Sequence, residues 1–228
     1  VSYLSIGSEP NPYLGLRGPR LYRFHPDLVT TQLQAVLRAA DGRDNLNILY
    51  PMINCIDDWQ DLQVLYGESA DLLRREGVEL PERVGQGILI ETPSAALDFE
   101  RFLDVIDFAS VGTNDLVQYL FAVDRNNANV AHLYQPEHPT VLRVLADLAA
   151  RAESAGKPLS ICGEIAGQPR FVPLLVGLGF RRLSVSPPAV EAVRRRLSRL
   201  RLDDCRSLAR ECLAASSAEA VRALLGRR

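Results

Sequence analysis

Short apolar runs alternate along the chain with longer stretches in which apolar residues recur every three or four positions. The short runs are "ILYPMI" at 48–53, "GILIE" at 87–91, "FASV" at 108–111, "LSIC" at 159–162 and "RLSVS" at 182–186. Each is continuous and bounded by Gly, Pro or polar residues, as strands buried on both faces are. Helical spacing fills the intervals 25–40, 140–155 and 169–178, and also 57–76, where Trp59, Leu62, Leu65, Ala70 and Leu73 form the stripe. The tail from 188 to 225 has the pattern of two or three helices, and its "RRRLSRLR" run suits a solvated helix face. A sixth strand could enter "GLRGPR" at 15–20.

Strand–helix alternation over the whole length predicts a parallel α/β fold. No linker, repeat or low-complexity stretch interrupts it, so residues 1–228 are expected to form one domain, with 188–228 as its helical tail. A doubly wound sheet and a (βα)8 barrel both fit alternation. Neither GxGxxG nor GxxxxGK[ST] follows the early strands, which weakens the nucleotide-binding option. Polar residues gather instead at the C-terminal ends of several strands, as in barrel enzymes. Six strands are too few for a closed eight-stranded barrel.

Composition narrows the classes. The chain has 228 residues, 47% hydrophobic and 24% charged, with a formal net charge of -2. That balance gives no basic field for nucleic acid or a membrane surface. No apolar run approaches the ~20 residues of a membrane span. Cys55, Cys162, Cys205 and Cys212 include no CxxC pair, so a reducing, cytoplasmic setting is expected. Cys205 and Cys212 lie seven apart, on one helical face, where thiols pack as small hydrophobes.

Chemistry concentrates at the strand ends. "ILIETP" closes on Glu91, "ASVGTND" on Asn114 and Asp115, "LSICGE" on Cys162 and Glu164, and "LSVSP" on Ser184 and Ser186. Either carboxylate alone could be a helix N-cap or a solvated loop residue. Together on successive strands they suit a hard divalent cation such as Mg2+, which takes one or two protein carboxylates. Arg17, Arg20 and Arg125 supply guanidinium groups that grip phosphate or carboxylate in bidentate fashion, or else form surface ion pairs. Cys162 is either a buried inert thiol or, facing a cation, a proton donor. Gly112 is expected to permit a tight turn that delivers Asn114 and Asp115 to the mouth.

The segments "NPYLGLRGPR", "ILYPMI", "ILIETPSAA", "FASVGTNDLVQY", "AVDRNN", "LYQPEHP" and "SICGEIAG" occur in a fixed order. From about residue 11 to 200 the chain resembles the phosphoenolpyruvate-binding C-terminal domain of Enzyme I, the phosphoenolpyruvate–protein phosphotransferase of the bacterial phosphotransferase system. "NLNILYPMI", Asn126-Asn127 and "GFRRLSVS" are most similar to its nitrogen-related branch. The resemblance implies a (βα)8 barrel of the phosphoenolpyruvate/pyruvate-binding type, with substrate at its C-terminal mouth. It implies that Glu91 and Asp115 hold Mg2+, that Arg17 and Arg125, helped by Asn114, hold the phosphate, and that Cys162 protonates the enolate to give pyruvate. It also implies a homodimer, an upstream histidine domain that takes the phosphate, and a small phosphocarrier protein beyond it.

The chain departs from the family in three ways. Asn47 stands where the sugar branch carries an arginine, which is expected to remove one phosphate-binding charge. Two βα units that precede "NPYLGLRG" in the family have no counterpart here, so the sheet is expected to be open, with residues 1–6 or a partner chain covering an edge. None of His25, His132 and His138 sits in a phospho-acceptor setting. Two other classes stay open on the residues alone: a Mg2+-dependent lyase acting on pyruvate- or oxaloacetate-type acids, and a non-catalytic metabolite-sensing or dimerisation module.

Overall fold

The computed structural model describes residues 7, 9–40 and 43–226, and the chain forms two compact units. The first unit comprises residues 1–45 and 57–83 and is helical among its described residues. A 3-10 turn at Pro12–Leu14 leads to α1 (Pro19–Phe24) and α2 (Pro26–Ala40), and α3 (Ile56–Arg75) completes it. Pro19 opens α1 at a position where its missing N–H costs nothing. The core is the expected pair of stripes, Val29, Leu33 and Leu37 from α2 and Trp59, Leu62, Ala70 and Leu73 from α3. Arg23 pairs with Asp58 and Asp61, and Arg38 with Glu76. The described residues carry no strand at "GLRGPR": the carbonyls of Leu14 and Gly15 accept from Arg20 Nη1 at 2.5 and 3.3 Å and close this stretch into a turn.

The second unit, residues 46–56 and 84–228, holds the sheet. Its strands are β1 (Asn47–Tyr50), β2 (Gly85–Ile90), β3 (Phe108–Gly112), β4 (Leu159–Cys162) and β5 (Arg182–Leu183). They are all parallel and lie in the order β1-β2-β3-β4-β5. A doubly wound sheet reverses its strand order at a switch point. Strictly sequential order is the winding of a (βα)8 barrel. The helices are α4 (Pro93–Leu97), α5 (Phe99–Leu103), α6 (Thr113–Phe121), α7 (Pro139–Ser154), α8 (Val172–Gly177), α9 (Pro187–Leu197), α10 (Leu202–Ala214) and α11 (Ala218–Gly226). Ile88, Ile90, Ala109, Val111 and Ile161 of the strands are buried, as are Phe99, Phe102, Leu116, Leu145 and Leu174 of the helices and Phe171, the N-cap of α8. Cys205 and Cys212 are buried on one face of α10, packing as small hydrophobes.

Two strands are shorter than their apolar runs. The run at 48–53 ends as a strand at Tyr50, because Pro51 has no N–H for the ladder and Met52 turns to φ 56. The run at 182–186 ends at Leu183, where the sheet has no further described neighbour, though Ser184 N still donates to Ile161 O at 2.9 Å. Residues 1–6, expected to cover an edge, lie outside the described residues.

Candidate active site at the strand ends

Register alone aligns three of the chemically important positions. Ile90 pairs with Val111, and Gly112 pairs with Cys162. Glu91, the next residue after β2, therefore lies level with Gly112 and Cys162 at the C-terminal end of three neighbouring strands. Parallel strands stand about 4.8 Å apart, so the three form a short row across the sheet. Gly112 has φ -87, which any residue adopts, so a tight turn is not its reason. A Cβ built on it would lie 3.0 Å from Glu91 Cβ and 3.1 Å from Glu91 Oε2. The missing side chain is the space that the Glu91 carboxylate occupies.

Glu91 is 6% exposed. Its Oε1 accepts from the backbone N–H of Met52 at 2.7 Å. The N-cap of α4 is Thr92, whose Oγ1 accepts from Ala95 N, so Glu91 is not a capping residue. Asp115 sits in the first turn of α6, also 6% exposed, where the helix dipole favours a negative charge. Its Oδ1 lies 2.5 Å from Arg125 Nη1. Helix α6 stops at Ala122, left-handed at φ 52, and the chain folds back so that Gln118 Oε1 accepts from Arg125 N at 3.1 Å. Asp115 and Gln118, one turn apart on the helix, thus hold the arginine by its side chain and its backbone.

The loop after β4 is tied to the start of α6. Thr113 Oγ1 donates to Cys162 O at 2.8 Å, and Asn114 Oδ1 accepts from Glu164 N at 3.0 Å. Gly163 between them has φ 94, and a Cβ there would come within 2.9 Å of Asn114 Oδ1. Cys162 Sγ lies 3.4 Å from Val111 O. Burial pushes its thiol pKa up, a hydrogen bond with Ser110 opposes that, and the Glu91 charge adds to the rise. The thiol is accordingly held protonated at neutral pH. A cleft of about 630 Å³ opens beside it, lined by Asn114, Cys162, Glu164, Gln168, Ser184 and Ser186.

Five of the six residues singled out from the sequence, Glu91, Asn114, Asp115, Arg125 and Cys162, belong to the second unit. Arg17 belongs to the first, where its guanidinium lies 5.5 Å from the centroid of the Tyr13 ring. Asn47 opens β1, in register with Gly85 and exposed, at the opposite end of the sheet from Glu91. His25 ends α1, His132 lies in a 3-10 turn, and His138 caps α7 through Nδ1, so none follows a strand.

Sequence reasoning missed Met52 and Tyr134. Met52 was hidden inside a continuous apolar run. Tyr134 lies in "LYQPEHP", a stretch with a family pattern but no assigned role. Its phenol is pushed up to about 12 by burial, with Arg125 opposing and Glu164 and Asp115 adding to the rise, which makes it a neighbour of the Asp115–Arg125 pair. Among the described residues no group of three or more His, Cys, Asp or Glu gathers as a metal cluster. Two buried carboxylates suit a hard divalent cation that completes its shell with water and substrate oxygens.

Sequential parallel winding and charged groups collected at the C-terminal strand ends define an α/β barrel-type domain. A crystal structure of a citrate lyase from Burkholderia xenovorans LB400 shares this fold, at TM-score 0.55 and 20% identity over 87% of this chain and 68% of that one. The chain belongs to the family described as PEP-utilising enzyme, PEP-binding domain, whose sequence model matches residues 1–202. It is 40% identical over 225 residues to multiphosphoryl transfer protein 1 of Escherichia coli K12, covering 99% of this chain and 27% of that protein. It is 41% identical to the phosphoenolpyruvate-dependent phosphotransferase system protein of Salmonella typhimurium, over 97% of this chain and 30% of that protein. It is 37% identical to the phosphoenolpyruvate-protein phosphotransferase of Geobacillus stearothermophilus, over 97% and 38%. The chain thus spans between a quarter and two fifths of the length of these relatives. Among its described residues no helix is long and apolar enough to cross a membrane.

Proposed function

We propose that this chain is the phosphoenolpyruvate- and Mg2+-binding barrel of a phosphoenolpyruvate–protein phosphotransferase. The observation that carries it is the row Glu91–Gly112–Cys162 on adjacent strands, together with the buried Asp115–Arg125 pair held by the helix that follows. Glu91 and Asp115 would hold Mg2+. When bound, the metal neutralises phosphate and carboxylate oxygens, the main need of a phosphoryl transfer.

The chain's own residues do the rest. Arg125 grips the phosphate through its planar guanidinium, with Asn114 of the same unit helping. The P–O bond to the enol oxygen breaks, and the phosphoryl group passes to a histidine nitrogen. No histidine of this chain follows a strand, so the acceptor belongs to another domain, from which a small phosphocarrier protein receives the phosphate. The enolate's electron pair then takes a proton at the methylene carbon from the Cys162 thiol, giving pyruvate, and solvent restores the thiol. A thiol held protonated by burial suits that step. The setting is cytoplasmic and the working form a homodimer.

Phosphorus NMR of phosphoenolpyruvate tests the binding claim. The line should broaden on addition of the chain with Mg2+, and not with Asp115→Ala under the same conditions. Broadening that persists in Asp115→Ala would sink the proposed site. Labelled phosphoenolpyruvate should leave the chain itself unlabelled; acid-labile label on His25, His132 or His138 would contradict the placement of the acceptor elsewhere.

A further inference from the structure

Three N–H groups that follow α6 are received by one residue, Gln118. Its carbonyl accepts from the N–H of Ala122, at the left-handed cap, and from Val123 N at 3.0 Å. Its side-chain Oε1 accepts from Arg125 N at 3.1 Å. Gln118 is 3% exposed, and one turn earlier on the same helix Asp115 has its Oδ1 2.5 Å from Arg125 Nη1. Arg125 is thus tied to α6 twice, by its backbone at Gln118 and by its guanidinium at Asp115. The donor at Arg125 N fixes which end of the buried amide is oxygen. The other end, Nε2, finds no acceptor in the protein among the described residues. A buried donor held in that way costs free energy that an apolar side chain of the same length would avoid. What the glutamine adds in return is the acceptor for Arg125.

We infer that Gln118 is a positioning residue for the phosphate grip: its Oε1 fixes the main chain of Arg125 and so sets where the guanidinium stands relative to the Asp115 carboxylate. This rests on the reading of Arg125 as the phosphate-binding cation. The physical reason is the length of the arginine. Its side chain loses rotamer freedom whenever the guanidinium is held, and the planar fork grips phosphate only when its N–H groups point the right way. An ion pair with Asp115 holds the guanidinium but leaves open the backbone it extends from. Anchoring that backbone to a helix removes part of the freedom before substrate arrives, and preorganisation of this kind appears as affinity. With both ties made, the acid that would hold the metal and the cation that would hold the phosphate are spaced by one turn of α6.

A double-mutant cycle separates positioning from packing. Gln118→Met keeps the length and helix propensity of the side chain and removes its oxygen. Phosphoenolpyruvate affinity in the presence of Mg2+ is measured by calorimetry on this variant, on Arg125→Gln and on the double variant. Gln118→Met should weaken binding roughly five- to tenfold, the scale of one lost hydrogen bond. Added to Arg125→Gln it should change binding by less than about twofold, because two residues that act through one contact are not additive. An equal loss in both backgrounds, or no loss in either, overturns the inference. It does so while the phosphate reading stands, provided Arg125→Gln alone weakens binding. Unaltered binding in Arg125→Gln overturns both. Amide exchange reads the tie directly and needs only the wild-type chain to begin. The Arg125 N–H should be protected there. In Gln118→Met it should exchange at least about tenfold faster, while the Val123 N–H, bound to the main-chain carbonyl, keeps its protection. An unprotected Arg125 N–H in the wild type, or equal loss at both amides in the variant, contradicts the inference.

Discussion

The two ends of the sheet are built from the same strands and hold polar groups of different kinds. At the N-terminal end the polar side chains serve the sheet itself. Asp107 Oδ2 accepts from Gln86 N at 2.8 Å, and exposed Asn47 packs against Gly85. At the C-terminal end two carboxylates are buried at 6% exposure, one on a strained backbone amide and one on an arginine. Burying a charge costs several kcal/mol unless it is paired and hydrogen-bonded. One end merely completes a ladder. The other keeps charge out of water, an arrangement that suits chemistry better than stability.

Substitutions at the two ends should therefore differ widely in effect. The largest is at the carboxylates: Glu91→Ala or Asp115→Ala in the longer phosphotransferase should lower metal-dependent phosphoenolpyruvate turnover by roughly 10³-fold or more, since a metal supplies several kcal/mol of charge stabilisation. Loss below tenfold in steady-state assays would remove them from the metal site. Next is Cys162→Ala, which should slow pyruvate formation roughly 10²–10⁴-fold, the range of a lost general acid. The KM for phosphoenolpyruvate should not change, because the thiol acts after binding. The active form is the protonated thiol and its pKa is raised by burial, so wild-type activity should hold through neutral pH. It should fall only on the alkaline side, above the usual thiol range of about 8.5, and a pH–rate profile that falls below this range contradicts the assignment.

Arg125→Gln sharpens the comparison by moving two affinities in opposite directions. Losing a charge-assisted contact costs about 1.5–3 kcal/mol, so phosphoenolpyruvate binding should weaken roughly 10- to 100-fold. Mn2+ binding without phosphoenolpyruvate should instead tighten, because the cation no longer competes with the guanidinium for Asp115. Calorimetry that finds both affinities lowered would show that the pair does not compete. The smallest effect is at the other end: Asn47→Arg should leave phosphoenolpyruvate affinity within about twofold, as surface substitutions do.

Much of this arrangement was legible in the sequence. Buried parallel strands announce themselves as apolar runs, and the chain folds five of them where the runs lie. Helix stripes in α2, α3 and α7 follow directly from spacing. Strand ends could be read because a polar residue directly after an apolar run has to sit at the mouth of a parallel sheet. Backbone conformation was not legible. Nothing in "ILYPMI" marks Met52 as left-handed, since methionine has no preference for that region. Gly112 looked like a turn glycine until the neighbouring strand put Glu91 against it. Tyr134 comes close to the Asp115–Arg125 pair from the loop before α7. Only the fold brings the two together.

The most direct measurement is an anomalous difference map from crystals of this chain soaked in Mn2+ and phosphoenolpyruvate. We expect one peak at the C-terminal end of the sheet, with an oxygen of Glu91 and an oxygen of Asp115 each about 2 Å from it. A peak on neither carboxylate, or separate ions on each, would contradict a shared metal site.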